Sequence, residues 1–418
     1  MRLLNTHTLE MKEFFDSQVP PYVILSHTWG NEEISFSEME SNNETARSKA
    51  GYQKITKFCA LTKRHGFEYG WVDTCCIDKR NSAELSEAIN SMYAYYYDAA
   101  ECFIFLDDVW PISEGGIDHK VQIAFMKASR WFTRRWTTQE LLAPKIRKLF
   151  AKDWSLIDHW ENLLSLVTEI TNIDERALRD RDTIPSFCVA QRMCWASKSQ
   201  TTRNEDMACS LMGLFNVNMP VIYGEGSHKA FRRLQNEIMQ VSFDQTIFAW
   251  RGDYQSSGLL ARSPTDFRET PELGLWHPVN LSPYAMTNVG LSLRLLKIPA
   301  DDKNDMSTPL AVLQCDVKDG NTWKILSIHL KQLGDKDTKF FVNGKSCTAY
   351  RRIRCYEWKP VEPAGKVQGV RWQNEHGLVL EDEHYELLKH SIEDTRRRWE
   401  LEIQYQHFGS VGIDYVYE

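Results

Sequence analysis

Three short apolar runs, each followed by a stretch of helical periodicity, constrain this chain more than any other feature. Tyr22-Val-Ile-Leu-Ser26 is a continuous hydrophobic run, Phe67 to Val72 reads as a second strand, and Cys102-Phe-Ile-Phe-Leu106 as a third, buried one. That is the pattern of strands buried on both faces of a parallel sheet. Gly51 to His65 predicts a helix with Ile55, Phe58, Cys59 and Leu61 turned inward. Asn81-Ser-Ala-Glu84 opens another in capping-box fashion, with Leu85, Ala88, Ile89, Met92, Tyr93 and Tyr96 on one face. Such alternation gives an α/β fold, a parallel sheet flanked by helices with right-handed crossovers. Ile146 to Phe150 fits a fourth strand. Ligands of such sheets sit beyond the carboxyl ends of the strands, here Ser26 to Gly30, Asp73 to Asp78 and Asp107-Asp108.

At 418 residues the chain is too long for one ordinary domain. Residues 1–150 form the α/β domain, 151–245 a helical extension packed on it, and 246–418 a β-rich domain ending in a charged helix near Glu383 to Tyr405. In the extension, helical signals run from Trp160 to Ile170, from a Thr202-Arg-Asn-Glu205 capping box into Met207 to Phe215, and from Ala230 to Met239. The period changes to two in Leu291 to Leu295, Ile325 to Leu330 and Tyr350 to Trp358, with Asn343-Gly344 as a hairpin turn. Pro20-Pro21 ends a short leader, and the loop holding Gly115-Gly116 is expected to be exposed and mobile.

With 50 basic and 57 acidic residues and no basic stripe, a nucleic-acid partner is not expected. No run approaches 18 apolar residues and no signal-peptide pattern opens the chain, so a soluble cytoplasmic protein without a membrane span is expected. The ten cysteines should be reduced and mostly buried, Cys75-Cys76 included.

Chemistry concentrates in Ser129-Arg-Trp-Phe-Thr-Arg-Arg-Trp-Thr-Thr-Gln-Glu-Leu-Leu-Ala-Pro144, which predicts one short helix with Thr133 as N-cap and Pro144 as its stop. Trp136 and Glu140, four apart, share a face, so a carboxylate lies beside an indole. The bland alternative makes Trp131, Phe132 and Trp136 core and pairs Glu140 with Arg135 or Lys145. His27, Asp73, Asp78, Asp107 and Asp108 match no metal spacing; Asp73 and Asp78 suit turns and caps, and no metal is expected. A Cys75 or Cys76 nucleophile with His27 would share one sheet edge, but nothing marks a lowered thiol pKa.

Tyr22-Val-Ile-Leu-Ser-His-Thr-Trp-Gly30, Trp71-Val-Asp-Thr-Cys-Cys-Ile-Asp-Lys79 with Ser82 to Asn90, and Ser129 to Leu142 together resemble the three blocks of the fungal heterokaryon-incompatibility (HET) domain. Thr202 to Asp206 and Tyr223-Gly-Glu-Gly226 resemble the extension that often follows it. The resemblance implies a cell-death effector of non-self recognition. Where relatives usually carry Gly this chain has Arg135, which would crowd or charge the pocket, and the G-x-x-x-x-G-K-[ST] switch of larger relatives does not occur in it.

The HET domain in turn resembles the Toll/interleukin-receptor (TIR) domain of innate immunity, and Trp136-Thr-Thr-Gln-Glu-Leu141 is similar to that family's W-C-L-x-E-L segment. In TIR domains that consume NAD the Glu of this segment is catalytic, which implies Glu140 here. Cleavage releases an already cationic nicotinamide and needs a carboxylate facing an oxocarbenium-like ribose. Trp29 or Trp136 would stack on a ring, Arg134 or Arg135 would meet the pyrophosphate, and His27 and Asp73 complete the substrate-binding set. NAD is then a substrate, no cofactor is needed, and the active form is a homo-oligomer. The competing readings are a non-enzymatic adaptor acting by self-association and a small-molecule tailoring enzyme on the same fold.

Overall fold

The computed structural model describes residues 1–379 apart from 16–17, 42, 113–117, 271, 276–283, 289, 299–307, 334–339, 343–344 and 362–372. Met1–Ile238 with Arg262–Arg268 make one compact unit, and Met239–Ala261 with the chain from Glu269 make a second. The chain therefore enters the first unit twice.

The first unit is built on a six-stranded sheet of β1 (Arg2–Asn5), β2 (Met11–Glu13), β3 (Tyr22–His27), β4 (Tyr69–Val72), β5 (Glu101–Phe105) and β6 (Arg147–Phe150), in the order β2-β1-β4-β3-β5-β6. β4, β3, β5 and β6 are mutually parallel, so the continuous apolar runs do become strands covered on both faces. β3 is buried along its whole length. The leader is not merely a leader: β1 and β2 form an antiparallel hairpin on the β4 edge. Runs of four and three residues are too short for a legible period, yet Leu3 and Leu4 are completely buried.

After β3 come α1 (Phe36–Ser41), α2 (Glu44–Ser48) and α3 (Ala50–Arg64). α3 stops at Gly66, whose φ of +86° suits a residue without a Cβ. α4 (Ser82–Asp98) joins β4 to β5, capped by Asn81, whose side chain accepts from the Ala83 and Glu84 amides. Glu84 does not close a capping box. Its carboxylate accepts from the Asp78 amide and pairs with Arg2, fastening the β1 edge to the helix.

The segment expected as one helix from Ser129 is broken. A 3-10 turn, Arg130–Thr133, is followed by α6 (Thr137–Leu142), after α5 (His119–Ala128). Thr133 does not cap α6; its hydroxyl donates to the Arg130 carbonyl, and Ser129 caps the 3-10 turn instead. The amide of Arg135 is taken by the Gln200 carbonyl at 2.9 Å, which removes it from any helical ladder and accounts for the break.

α7 (Trp160–Thr171), α8 (Glu175–Arg179), α9 (Val189–Trp195), α10 (Asp206–Cys209) and α11 (Ser227–Val241) follow β6. The Thr202 to Glu205 capping box does not form. Glu205 accepts from the Gly224 and Gly226 amides, each at 2.9 Å, and ties down the Tyr223 to Gly226 turn.

The second unit holds a ten-stranded sheet that is antiparallel but for the pairing of Lys345–Ile353 with Gln373–Val379. Leu291 to Leu295 and Ile325 to Leu330 lie in the strands Gly290–Ile298 and Thr322–Gln332. Tyr350 to Trp358 is not one strand: pairing ends at Ile353, and Arg354 takes a φ of +50°. Arg352 is fully buried, its guanidinium 3.9 Å from the Trp250 ring and donating to the Phe248 carbonyl at 2.9 Å. Asn343-Gly344, Gly115-Gly116 and the charged helix expected near Glu383 to Tyr405 lie outside the described residues.

Candidate functional site

Side chains of consecutive strand residues point to opposite faces, and Ser26 and His27 of β3 use this to serve two carboxylates. On one face the Ser26 hydroxyl donates to Glu140 Oε2 at 2.6 Å and accepts from Trp131 Nε1 at 2.8 Å. Trp131 is fully buried and Glu140 is 4% exposed. Arg134 covers the same carboxylate, with both of its contacts at 3.4 Å, long for a charge-assisted pair. Burial pushes the Tyr96 hydroxyl well up, and the charge of Glu140 adds to the push.

On the other face His27 Nδ1 lies 2.7 Å from Lys54 Nζ on α3, and Nε2 lies 3.1 Å from Asp73 Oδ1. An ammonium can only donate, so the imidazole proton belongs on Nε2 and is given to Asp73. Lys54 also donates to Glu33. Trp29 Nε1 donates to Asp73 Oδ2 at 2.8 Å, and the Lys79 ammonium lies 3.7 Å from the Trp29 ring centre. Burial works to raise Asp73, but the charge of Lys79, the His27 hydrogen bond and the charge of Arg134 outweigh it, leaving the carboxyl well below its usual range. Burial lowers Lys79 against the pull of Asp73.

The expected set is thus split. His27, Trp29 and Asp73 meet directly; Arg134 joins them to Glu140. Trp136 does not lie against Glu140. Its Nε1 donates to Asp206 Oδ2 at 3.2 Å, because the helix break puts Trp136 at the N-cap of α6 instead of inside it. Tyr223 reaches the other oxygen of Asp206 at 3.3 Å, and burial raises that carboxyl. Nor does Arg135 charge the pocket: it is buried, donates to the Ser199 carbonyl, and burial lowers it to about 10. The indole beside Glu140 is that of Trp131, through Ser26.

The thiols stand apart from this. Cys75 is held well up by its hydrogen bond with Cys76 and by burial, and the two sulfurs face the Val72 backbone while His27 faces Lys54 and Asp73. The nine cysteines whose surroundings are described are free and buried. Asp78 pairs with Arg80, and Asp107 and Asp108 with Arg130. Among the described residues no group of three or more His, Cys, Asp or Glu converges on a point that would hold a metal ion.

Ser26, Lys54, Lys79 and Trp131 complete the two clusters, and Asp206 holds Trp136 outside them; none of the five is among the site residues expected from the sequence. Ser26 carried a signal, a hydroxyl closing an otherwise apolar buried strand, where an unpaired polar group is costly. Lys54 and Asp206 carried none, since their partners are far away in the chain.

Residues 22–118 match the family described as heterokaryon incompatibility protein (HET), and residues 229–287 match a domain of unknown function (DUF8212). The Glu140 segment lies beyond the first match. The vegetative incompatibility protein HET-E-1 of Podospora anserina is 45% identical over 229 residues, 54% of this chain but 17% of that relative's length. No solved structure matches. Among the described residues no helix is long and apolar enough to cross a membrane. The strand and loop that hold Ser26, His27, Trp29 and Asp73 lie inside the matched stretch, and over that stretch the chain carries a heterokaryon-incompatibility (HET) domain.

Proposed function

We propose that this chain is a cell-death effector of fungal non-self recognition, with a TIR-like first domain that cleaves NAD at the nicotinamide glycosidic bond. The observation that carries the proposal is Glu140: a carboxylate removed from water, oriented by Ser26 and reached only by a loosely held arginine. The order of the parallel strands β4-β3-β5-β6 also supports a doubly wound, flavodoxin-like topology with the site at its carboxyl edge.

In the reaction the C1′–N1 bond breaks, its electron pair goes to nicotinamide, and the ribose becomes cationic at C1′. Glu140 stabilises that charge in a site of low dielectric. Arg134 must swing off the carboxylate first, and the pyrophosphate is the anion that can draw it away. Water then attacks C1′ and gives its proton to solvent, leaving ADP-ribose. In the present conformation the space beside Arg134 is about 30 Å³, room for a water or two and not for a nicotinamide; in this reading the closed arginine is the resting state, and assembly into a homo-oligomer is what would open it.

Nicotinamide release by the wild type at high concentration tests the proposal. None above buffer would remove the enzyme and favour the second reading, a self-associating adaptor, for which the burial of Glu140 speaks: a carboxylate 4% exposed can serve simply to fasten β3 to α6.

A further inference from the structure

On the Lys54 side of β3 an open cleft of about 600 Å³ lies at the carboxyl ends of β3 and β5. It sits where the strand order reverses, β4 flanking β3 on one side and β5 on the other, and open parallel sheets hold ligands at such points. Its volume is that of a small-molecule site.

Lys57 and Lys152 line it together with Glu32, Glu33 and Asp107; the charge of Lys57 reaches Asp153, but neither lysine stands within 4 Å of a carboxylate oxygen among the described residues. Lys152 lies 4.3 Å from the ring of the exposed Trp110. Phe105 and Trp154 also line the cleft and stack on each other at 4.2 Å and 13°. Trp154 holds a φ of +71°, a strained state for a bulky side chain that persists only where its surroundings impose it. Glu33 supplies an acceptor. Its Oε1 takes the Lys54 ammonium and the Gly30 amide, while Oε2 is buried without a hydrogen-bond partner among the described residues, and an unsatisfied buried carboxylate oxygen is costly.

We propose that this cleft binds a nucleoside phosphate, with the phosphate taken by Lys57 and Lys152, the base against Trp154, and a ribose hydroxyl donating to Glu33 Oε2. The site is separate from Glu140, whose contacts lie on the opposite face of β3, and it holds whether or not the chain cleaves NAD.

Calorimetric titration of the full chain with ADP, adenosine and inorganic pyrophosphate tests it. ADP should bind more tightly than either part. The double variant Lys57→Glu/Lys152→Glu, made at exposed positions, should weaken ADP by at least about tenfold. Trp154→Gly, which removes the ring and suits the positive φ, should weaken ADP and adenosine by about tenfold and pyrophosphate much less. Binding should persist in Arg134→Ala, which lies across β3. No heat with ADP at millimolar concentration, an unchanged affinity in the lysine variant, pyrophosphate binding as tightly as ADP, or loss of binding in Arg134→Ala would each overturn the proposal.

Discussion

Two neighbours on one strand, Ser26 and His27, hold two carboxylates under opposite conditions. Glu140 sits dry beneath Trp131 and Arg134, with two donors and almost no exposure. Asp73 is partly open, receives His27 and Trp29, and lies in the field of Lys79 and Arg134. A carboxylate like Asp73 is held charged at any ordinary pH and contributes a fixed field. One like Glu140 has its charge removed from solvent, where it counts most against a developing cation. The division of labour follows from the alternation of side chains on a single strand.

The largest effect that can break this contrast is on the proposed reaction. Glu140→Gln keeps the shape and, with its amide oxygen toward Ser26, that hydrogen bond, but removes the charge and one acceptor facing Arg134; it should cost about 3–4 kcal/mol of barrier, roughly two to three orders of magnitude in nicotinamide release, in a protein whose melt still shows it folded. Equal rates would move the chemistry away from Glu140.

Next comes stability on the dry side. Ser26→Ala leaves Glu140 Oε2 and Trp131 Nε1 without their shared partner in a buried setting, at a cost of about 2 kcal/mol. Lys54→Met takes a donor from His27 and from Glu33, and because Lys54 itself lines the open cleft and is only partly buried, it should cost about 1 kcal/mol. Denaturant melts of the two variants compare the faces directly; equal losses would erase the asymmetry.

The smallest effects are those of pH, and they sharpen the comparison by sign. The folded-state pKa of Asp73 is depressed, so its contribution to stability is present above the unfolded carboxyl's value, about 3.9, and is lost as pH falls through the lower folded value. The gap in melting temperature between wild type and Asp73→Asn should therefore be widest above about pH 5 and close at lower pH. Asp206 is raised by burial; folding favours its protonated form, and its contribution is lost as pH climbs through the raised value. Asp206→Asn should gain on the wild type as pH rises above about 4. Parallel slopes for the two variants would mean that burial does not separate them.

Much of the scaffold was legible because it rests on local rules. The runs at Tyr22 and Cys102 are apolar on both faces, and helices of 15 and 17 residues at Ala50 and Ser82 show their periodicity over several turns. β1 and β2 escaped because three or four residues carry no period, and the break before Trp136 escaped because it depends on Gln200, some sixty residues on. The neighbours of Glu140 were not legible. Trp136 and Arg135 looked like its partners by spacing alone, whereas the groups that touch it come from β3 and from Arg134 beyond the helix break.

The return of residues 262–268 to the first unit decides where this protein can be cut. Phe267 is completely buried, and Cys194 at the end of α9 contacts the Arg268 carbonyl. A polypeptide stopped at Ile238 would leave that patch bare, while one carried to Arg268 would drag along Met239–Ala261, a tract whose own neighbours belong to the other unit. Neither terminus gives a clean module. A break in the chain between residues 238 and 268 separates a buried phenylalanine from the unit that covers it, although each unit has its own core.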